Sequence, residues 1–389
     1  MKSFHGITKN ISKSILCKIS YNESSSVNDG KTFLFSSIVP KSIAPHSGVI
    51  LSSKFIPSKD LSVPTFQLLD DEILLEEGDV VLLEPSGKGT ILYKKDSQTN
   101  SVFLTERCNC RCIMCPQPPR DKDTENFVDL SIRTIELMDP STEVIGITGG
   151  EPTLVWEGLK KVVCACKNYI PSASIQLLTN ARILKNYDNA KELAEEGDPN
   201  LFVAIPLYAD VDNIHDFLVA SNGAFWDTLE GIYNMERAGV SVEVRIVINA
   251  FNYKRLPQWS EFIYRTIPFA EHVAFMGMEP IGLALKNIER LWIDPSDYMS
   301  YLNQAVKILL RRNLGVSIYN HQLCTLPRDL WQLARQSISD WKIVYMKECN
   351  ECTVRSFCGG FFHSAQVYKS CNIKAIKDGC KIECISNSN

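Results

Sequence analysis

Residues 101–119 read SVFLTERCNCRCIMCPQPP, in which a short apolar run leads directly into a loop with four cysteines. Five more apolar, β-branched runs follow, namely EVIGIT, SIQLLTN, LFVAIPL, SVEVRIVIN and HVAFMGM. Segments with apolar residues at helical spacing separate these runs. Such alternation predicts parallel strands that are joined by crossover helices. We therefore expect an α/β fold in which six strand–helix units, ending near Asn313, make an incomplete barrel or an open sheet.

Polar residues follow the predicted strands at their carboxyl ends. Cys108 follows the first strand, and the run Gly149–Glu151 follows the second. Thr179 and Asn180 end the third strand, and Asn249 ends the fifth. In barrels of alternating strands and helices, functional sites lie at this end of the strands. The sequence therefore predicts a site that is built from these loops.

Two flanking regions differ from this core, which is predicted over residues 98–315. Residues 1–97 contain short apolar runs split by Gly, Pro and Ser, and GDVVLLEPSGKGTILYKK at 78–95 predicts a β-hairpin. They predict a β-rich N-terminal domain, either a small sheet or a barrel. Residues 316–389 are rich in cysteine and have little periodicity, and we expect this C-terminal domain to need metal in order to fold.

The composition excludes several classes of protein. The chain has 389 residues, of which 45% are hydrophobic and 22% are charged, so it can bury the cores of two or three domains. Its net charge of -4 gives no reason to expect nucleic acid or an anionic membrane as a partner. The apolar runs are too short to span a bilayer, and the start MKSFHGITKNISKS has no apolar signal core. We therefore expect a cytoplasmic protein.

The 14 cysteines are the unusual feature of the composition. In a reducing compartment, clustered cysteines bind metal or perform redox chemistry more often than they form disulfides. Two groups stand out, one at 108–115 and one at 324–358. The sequence therefore predicts metal or redox chemistry at two places in the chain.

The first group has a spacing that suits an iron–sulfur cluster. Cys108, Cys112 and Cys115 are separated by three and then by two residues. Three thiolates on a [4Fe-4S] cluster leave one iron open to another ligand, and chemistry can occur at that iron. A zinc loop and buried free thiols are the alternatives. Cys110 fits the set only by breaking the three-residue gap, and we predict that it is not a ligand.

This cysteine loop, together with GGEP at 149–152 after the next strand, resembles the radical S-adenosylmethionine (SAM) superfamily. The resemblance implies an enzyme with a partial (β/α)6 barrel of the TIM type and with Cys108, Cys112 and Cys115 as the catalytic cysteines. It also implies that SAM chelates the open iron and is reductively cleaved to a 5′-deoxyadenosyl radical, which abstracts a substrate hydrogen. In such a site the protein binds and orients the cofactor and substrate and shields the radical, whereas the cofactor performs the radical chemistry.

The resemblance further implies which residues hold SAM. Gly149 and Gly150 let the backbone approach the ligand, and Glu151 accepts a hydrogen bond from the methionine ammonium group. Arg245 and Asn249 lie on the fifth strand, where relatives contact the carboxylate or the ribose of SAM. Arg245 also suits a structural ion pair.

The fourth strand departs from the family pattern. Many relatives have a serine near its end, whereas AIPLYAD has Pro206 near that position. Ser221 is a possible substitute as a SAM contact, or it caps the helix that follows.

The second cysteine group is large enough to hold a second [4Fe-4S] cluster. Its members are Cys324, Cys349, Cys352 and Cys358. Their spacing resembles the auxiliary-cluster extensions of radical SAM peptide maturases, which are called SPASM in the longer form and twitch in the shorter. The longer form has another cysteine where this chain has Phe362, so the shorter form fits better. Structural zinc is the alternative, and Cys371, Cys380 and Cys384 stay unassigned.

Several segments carry a narrower resemblance, and they are LTERCNCRCIMCPQPP, GITGGEP, MGMEPIG, SISDWK and CNECTVRSFCGGFFHS. Together they resemble the radical SAM maturase of the His-Xaa-Ser repeat system. That family implies post-translational modification of a ribosomally synthesised peptide with His-Xaa-Ser repeats. It also implies a second radical SAM protein as a partner and an external electron donor such as flavodoxin or ferredoxin.

Two other functions stay open. One is a radical SAM enzyme that acts on a small molecule in cofactor biosynthesis, and the other is a non-enzymatic, zinc-stapled binding protein. The role of the β-rich N-terminal domain is also open. It could recognise a leader segment of the peptide by strand addition, or it could be a packing domain.

Overall fold

The computed structural model describes residues 2–22, 31–36, 47–52, 63–69, 75–339 and 342–377. The chain divides into two compact units. The first comprises Met1–Leu104, Glu125–Ile147 and Glu157–Ile175, and the second comprises Thr105–Thr124, Thr148–Trp156 and Gln176–Asn389. The division into three domains at 1–97, 98–315 and 316–389 stays a prediction.

The first unit begins with seven strands, which are β1 (Lys2–Lys9), β2 (Ile15–Ser20), β3 (Thr32–Ser36), β4 (Gly48–Leu51), β5 (Thr65–Leu68), β6 (Val80–Leu83) and β7 (Lys88–Tyr93). They close into a barrel in the order β1-β5-β4-β3-β2-β6-β7. β6 and β7 pair antiparallel, which confirms the predicted hairpin at 78–95. Because β7 also pairs with β1, every described strand of this barrel has a neighbour on both sides. Strand addition of a leader segment therefore has no free edge to use among these strands.

Aromatic side chains fill the barrel. Phe4, Phe33 and Phe66 are fully buried, and the rings of Phe4 and Phe66 meet edge to face with centroids 5.5 Å apart. Gly89 on β7 faces Phe4, and a Cβ at this position would overlap the ring. The glycine is therefore required by close packing in the barrel interior.

The strands that follow form a second sheet, and they are β8 (Ser101–Phe103), β9 (Val144–Thr148), β10 (Ser174–Leu178), β11 (Leu201–Pro206), β12 (Ser241–Val247), β13 (His272–Met276), β14 (Gly315–Tyr319) and β15 (Ala334–Arg335). Their order in the sheet is their order in the chain, and the registers from β11 to β15 are parallel. The first six are the strands predicted from the sequence. β14 and β15 extend the sheet toward the C-terminal region that was predicted to have little periodicity. The α/β class is confirmed, and the (β/α)6 count stays a prediction.

Helices alternate with these strands, and they are α1 (Phe127–Ile135), α2 (Trp156–Tyr169), α3 (Tyr187–Gly197), α4 (Asp212–Val219), α5 (Ala224–Arg237), α6 (Leu256–Thr266), α7 (Gly282–Lys286), α8 (Ile288–Leu291) and α9 (Pro295–Leu310). Their apolar faces are buried, as at Ile232 and Met235 of α5, which packs on β11 and β12. Within the described ranges, no helix is long and apolar enough to cross a membrane.

The last part of the second unit is made of short elements. β16 (Ile343–Val344) pairs antiparallel with β17 (Phe361–Phe362). Further along, Asp294, which caps the start of α9, also accepts hydrogen bonds from the Ser370 hydroxyl (2.7 Å) and the backbone N–H of Cys371 (3.0 Å). Polar contacts of this kind hold the end of the described chain in place.

Candidate functional site

A cavity of about 340 Å³ lies within the second unit. Most of the predicted site residues line it, namely Cys108, Cys112, Cys115, Gly149, Gly150, Glu151 and Arg245. Ser221 and Asn249 are not among the lining residues. Pockets of about 300–1,000 Å³ are typical of sites for organic cofactors and ligands. The fold therefore brings the cysteine loop and the Gly-Gly-Glu run to one cavity of suitable size.

Backbone hydrogen bonds hold the cysteine loop at its middle and at its end. The N–H of Ile113 donates to the carbonyl of Leu218 at the end of α4 (2.9 Å), and the N–H of Leu283 in α7 donates to the carbonyl of Cys115 (2.8 Å). Pro116 follows directly and prevents the loop from continuing as a helix. The protein backbone therefore holds the loop that carries the three thiols.

The three thiols are neutral in the absence of metal. Burial raises the pKa of Cys112 and of Cys115, and a hydrogen bond with Cys110, followed by burial, raises the pKa of Cys108. A bound metal ion deprotonates a coordinating thiol outright. Metal uptake at this trio should therefore release protons.

Cys110 lies beside a cation. Its Sγ is 3.7 Å from Nη1 of Arg182 and 3.7 Å from Nδ2 of Asn180. The hydrogen bond with Cys108 is the largest cause that lowers the pKa of Cys110 to about 7, and Arg182 adds to it, whereas burial opposes both. Cys110 also lines the cavity, and its absence from the ligand set stays a prediction.

Arg182 joins the cysteine loop to α5, and the sequence analysis missed it. Its Nε and Nη2 donate to Asp227 (3.1 and 2.9 Å), and its Nη1 donates to the carbonyl of Asn109 (3.1 Å) and the hydroxyl of Ser221 (2.8 Å). Arg182 and Asp227 are 45 residues apart, so no local pattern could indicate the pair. The alternative role of Ser221 as a helix N-cap is wrong, because Gly223 occupies that position of α5.

Gly150 allows two loops to touch. Its N–H donates to the carbonyl of Thr105 (2.6 Å), and the N–H of Glu151 donates to the carbonyl of Arg107 (2.8 Å). A Cβ on Gly150 would overlap the Arg107 carbonyl oxygen. Glycine is therefore required at position 150 because the backbone there lies directly against the start of the cysteine loop.

Glu151 is held by the protein itself. It is 1% exposed, and its Oε1 accepts from the N–H and hydroxyl of Thr153 (3.1 and 2.6 Å) and the hydroxyl of Thr179 (2.6 Å). Its other oxygen, Oε2, accepts one hydrogen bond within the described residues, from the N–H of Asn180 (2.7 Å). Burial raises the pKa of Glu151, and the four hydrogen bonds oppose that shift. Oε2 is therefore the oxygen that retains capacity for a ligand.

Arg245 forms the ion pair that was considered for it, and its role as a SAM contact stays a prediction. Its Nε is paired with Glu243, which also binds Nδ1 of His272 (2.8 Å). No hydrogen bond within the described residues involves its two Nη nitrogens, and the side chain lines the cavity. One edge of the guanidinium therefore belongs to a buried ion pair, and the other edge is open to the cavity.

Asn249 stabilises the turn after β12. It is fully buried, its Nδ2 donates to the carbonyl of Val247 (3.1 Å) and to Sδ of Met114 (3.6 Å), and its Oδ1 accepts from the N–H of Phe251 (3.0 Å). Its polar atoms are thus engaged by neighbouring residues. A role as a SAM contact stays a prediction.

Tyr208 also lines the cavity, although the sequence analysis gave it no role. It stands two residues after Pro206, which is the last residue of β11. The histidine beside it, His215, also lines the cavity and stacks on its ring, with centroids 5.9 Å apart.

The second cysteine group lines one small cavity of about 10 Å³ in the second unit. All four predicted ligands line it, namely Cys324, Cys349, Cys352 and Cys358. Burial raises the pKa of Cys358, and backbone hydrogen bonds partly oppose this shift. One of these bonds runs from the N–H of Leu323 to Sγ of Cys358 (3.5 Å). Cys371 is exposed and does not line this cavity, and Cys380 and Cys384 lie outside the described residues.

The donor chemistry at both places fits iron–sulfur clusters. Among the described residues, no three His, Cys, Asp or Glu side chains are placed to share a single metal ion. The thiols instead line cavities, three at the larger and four at the smaller. Three and four thiolates are the ligand sets of [4Fe-4S] clusters with and without an open iron.

Comparison with known proteins finds similarity over part of the chain. The family model of the Radical SAM superfamily matches residues 102–259. GTP 3′,8-cyclase of Sulfurimonas denitrificans is 30% identical over 194 residues, which cover 47% of this chain and 58% of that protein. Fe-coproporphyrin III synthase of Methanosarcina barkeri is 27% identical over 169 residues, which cover 42% of this chain and 41% of that protein. The chain thus spans about half the length of the curated relatives it matches.

Among solved structures, SuiB of Streptococcus suis has a TM-score of 0.48 and 14% identity, and the alignment covers 64% of this chain and 54% of that one. The segment that matches the family model contains both the cysteine loop and Gly149–Glu151. The family match thus includes the residues on which the resemblance rests, within a stretch shorter than half of the chain.

Proposed function

We propose that this chain is a radical SAM enzyme that modifies a ribosomally synthesised peptide by hydrogen abstraction. The observation that carries the proposal is the single cavity shared by the three-cysteine loop and Gly149–Glu151. In such a site, a [4Fe-4S] cluster supplies the electron that splits bound SAM and yields the 5′-deoxyadenosyl radical. Cys108, Cys112 and Cys115 would hold that cluster.

The chain's own residues bind and orient the ligand. Oε2 of Glu151 accepts from the ammonium group of SAM, because Oε1 is already saturated by three donors. The open edge of Arg245 donates to a carboxylate. Both groups are fixed beforehand by hydrogen bonds within the protein, so little order is lost when the ligand binds.

The smaller cavity would hold an auxiliary [4Fe-4S] cluster. Four cysteines around it leave no iron open, so this cluster would transfer electrons and would not bind substrate directly. Zinc is the competing occupant, because thiolates do not discriminate between the two. Metal and sulfide analysis decides between them.

The peptide substrate rests on the narrower family resemblance, and two of the segments that carry this resemblance are in contact in the fold. Nζ of Lys342, in SISDWK, pairs with Glu279 of MGMEPIG (3.3 Å). Gly282, the last residue of MGMEPIG, lies so close to the cysteine loop that a Cβ would overlap the carbonyl oxygen of Pro116. Segments that carry the resemblance are thus packed together beside the site. A second radical SAM protein and a flavodoxin or ferredoxin complete the proposed system.

A small-molecule substrate is the second candidate. It is favoured by the curated relatives, whose names describe a GTP cyclase and a coproporphyrin synthase. Dependence on a leader segment discriminates between the two candidates. A peptide maturase should act on a His-Xaa-Ser repeat peptide only when the leader is attached, whereas a small-molecule enzyme should ignore the peptide.

Anaerobic reconstitution with iron and sulfide, followed by addition of SAM and dithionite, tests the proposal. We expect 5′-deoxyadenosine from the natural chain and none from Cys112→Ala. Cys164→Ala is the matched control, because Cys164 is exposed on α2 and lines neither cysteine cavity. Zinc without iron in the purified protein, or full cleavage of SAM by Cys112→Ala, would refute the proposal.

A further inference from the structure

Tyr208 lies where the cavity meets the cysteine loop. Its side chain, like those of Cys108 and Cys112, packs against an apolar cluster that contains Cys110. It also packs against a second apolar cluster that contains Met114. It lines the same cavity as the three ligand cysteines. A ligand bound on those cysteines would therefore lie beside this side chain.

The position of Tyr208 is fixed before any ligand binds. Its carbonyl accepts from Nδ2 of Asn252 (3.0 Å), and its N–H donates to Nδ1 of His215 (3.1 Å). An Nδ1 that accepts belongs to a neutral histidine whose proton is on Nε2. Burial lowers the pKa of His215 to about 4, so this contact persists at neutral pH.

The hydroxyl of Tyr208 is available as a donor. No hydrogen bond within the described residues involves it, and the half-buried side chain lines the cavity. A tyrosine hydroxyl has an ordinary pKa of about 10 and is therefore protonated at neutral pH. The hydroxyl therefore keeps its proton and can donate it to an acceptor in the cavity.

We infer that the Tyr208 hydroxyl binds SAM by donating a hydrogen bond to one of its oxygens, in the carboxylate or in the ribose. The inference rests on the proposed function, because it takes SAM as the occupant of the cavity. Three observations carry it: the packing against the cysteine loop, the backbone held on both sides and the hydroxyl without a hydrogen-bond partner among the described residues. Tyr208 would thus be a cofactor-binding residue that no sequence motif indicates.

Tyr208→Phe tests the inference, because it keeps the ring and removes only the hydroxyl. The reconstituted, reduced protein is titrated with SAM, and binding is followed by the change in the electron paramagnetic resonance signal of the cluster. One hydrogen bond corresponds to a Kd for SAM that is about 2- to 10-fold weaker in the variant. Iron content should equal that of the natural chain.

Tyr298→Phe is the matched control, because it also removes one tyrosine hydroxyl. That hydroxyl donates to Nε2 of His321 (2.8 Å), and Tyr298 does not line the cavity of the three-cysteine loop. Its Kd for SAM should be unchanged. 5′-Methylthioadenosine, which lacks the carboxylate, serves as a second probe. Weaker binding of this probe to Tyr208→Phe assigns the contact to the ribose, and equal binding, with SAM binding weakened, assigns it to the carboxylate.

An unchanged Kd for SAM in Tyr208→Phe overturns the inference, and so does a loss of iron from that variant, which would mean that the hydroxyl serves the cysteine loop. Neither result affects SAM cleavage by the natural chain. A natural chain that binds iron but shows no affinity for SAM would instead refute the proposed function.

Discussion

The backbone N–H of Asn180 donates a hydrogen bond to Oε2 of Glu151 over 2.7 Å. This bond joins the loop after β10 to the Gly-Gly-Glu run after β9, so two neighbouring loops of the site share one buried carboxylate. The carboxylate is thereby oriented by the protein before a ligand arrives. Its replacement should affect folding as well as binding.

Glu151→Gln should lower the free energy of unfolding by about 1–3 kcal/mol. A glutamine amide has one acceptor oxygen in place of two, and its NH2 group would face a donor, so at least one buried N–H or hydroxyl loses its partner. Urea unfolding of the two proteins measures the difference. Glu157→Gln on α2 is the control, because its side chain is 76% exposed, and it should unfold like the natural chain. Equal stability of Glu151→Gln would contradict the buried network.

Arg182→Lys should destabilise the cysteine loop. A lysine cannot bind Asp227 with two nitrogens and reach Asn109 and Ser221 at the same time. We expect a loss of about 1–3 kcal/mol in the free energy of unfolding, and faster release of iron from the reconstituted protein to a chelator. Both quantities are measured on the natural chain in parallel.

Lys185→Gln provides the control for this variant, because Lys185 also pairs with Asp227 (2.8 Å) but is 52% exposed. Exposed pairs contribute about 0–1 kcal/mol, so its stability and iron release should stay close to those of the natural chain. If the two variants behaved alike, the contacts of Arg182 with the cysteine loop would have no measurable effect.

The sequence predicted the parts of the fold and site that local patterns encode. The cysteine loop and Gly149–Glu151 are each contiguous, and β-branched runs marked the first six strands of the second sheet. Arg182 and Tyr208 were missed because their contacts depend on residues that only the folded chain brings near. β14 was missed for another reason, since it lies beyond the last of the six strand–helix units that the sequence pattern indicated.

Acidification should lower the stability of the second unit through His321. Its Nδ1 lies 2.8 Å from the carbonyl of Tyr319 and must therefore donate, so Nε2 accepts from the hydroxyl of Tyr298 (2.8 Å). Burial lowers the pKa of His321 to about 4, whereas an unfolded histidine has a pKa of about 6.5. Between these values only the unfolded state takes up the proton, so stability is present above about pH 6.5 and is lost as the pH falls toward 4.

The loss amounts to about 1.4 kcal/mol per pH unit within that window. Melting temperatures at pH 7.5 and 5.5 measure it, and His321→Gln should show a smaller drop than the natural chain. Tyr298→Phe should melt lower at both pH values but keep the full drop, because it leaves the histidine in place. A drop in His321→Gln as large as in the natural chain would exclude this histidine as its source.

Cys352→Ala should remove the auxiliary cluster and spare the other. The variant deprives the smaller cavity of one of its four thiols, so iron in the reconstituted protein should fall from about eight to about four atoms per chain. Some cleavage of SAM should continue, because the larger cavity keeps all three of its ligand cysteines. Iron analysis and assay of 5′-deoxyadenosine provide the two measurements.

Cys371→Ala is the matched control, because that thiol is exposed and lines neither cavity. It should keep the full iron content, and equal iron loss in both variants would remove the basis for assigning a cluster to the four cysteines of the smaller cavity.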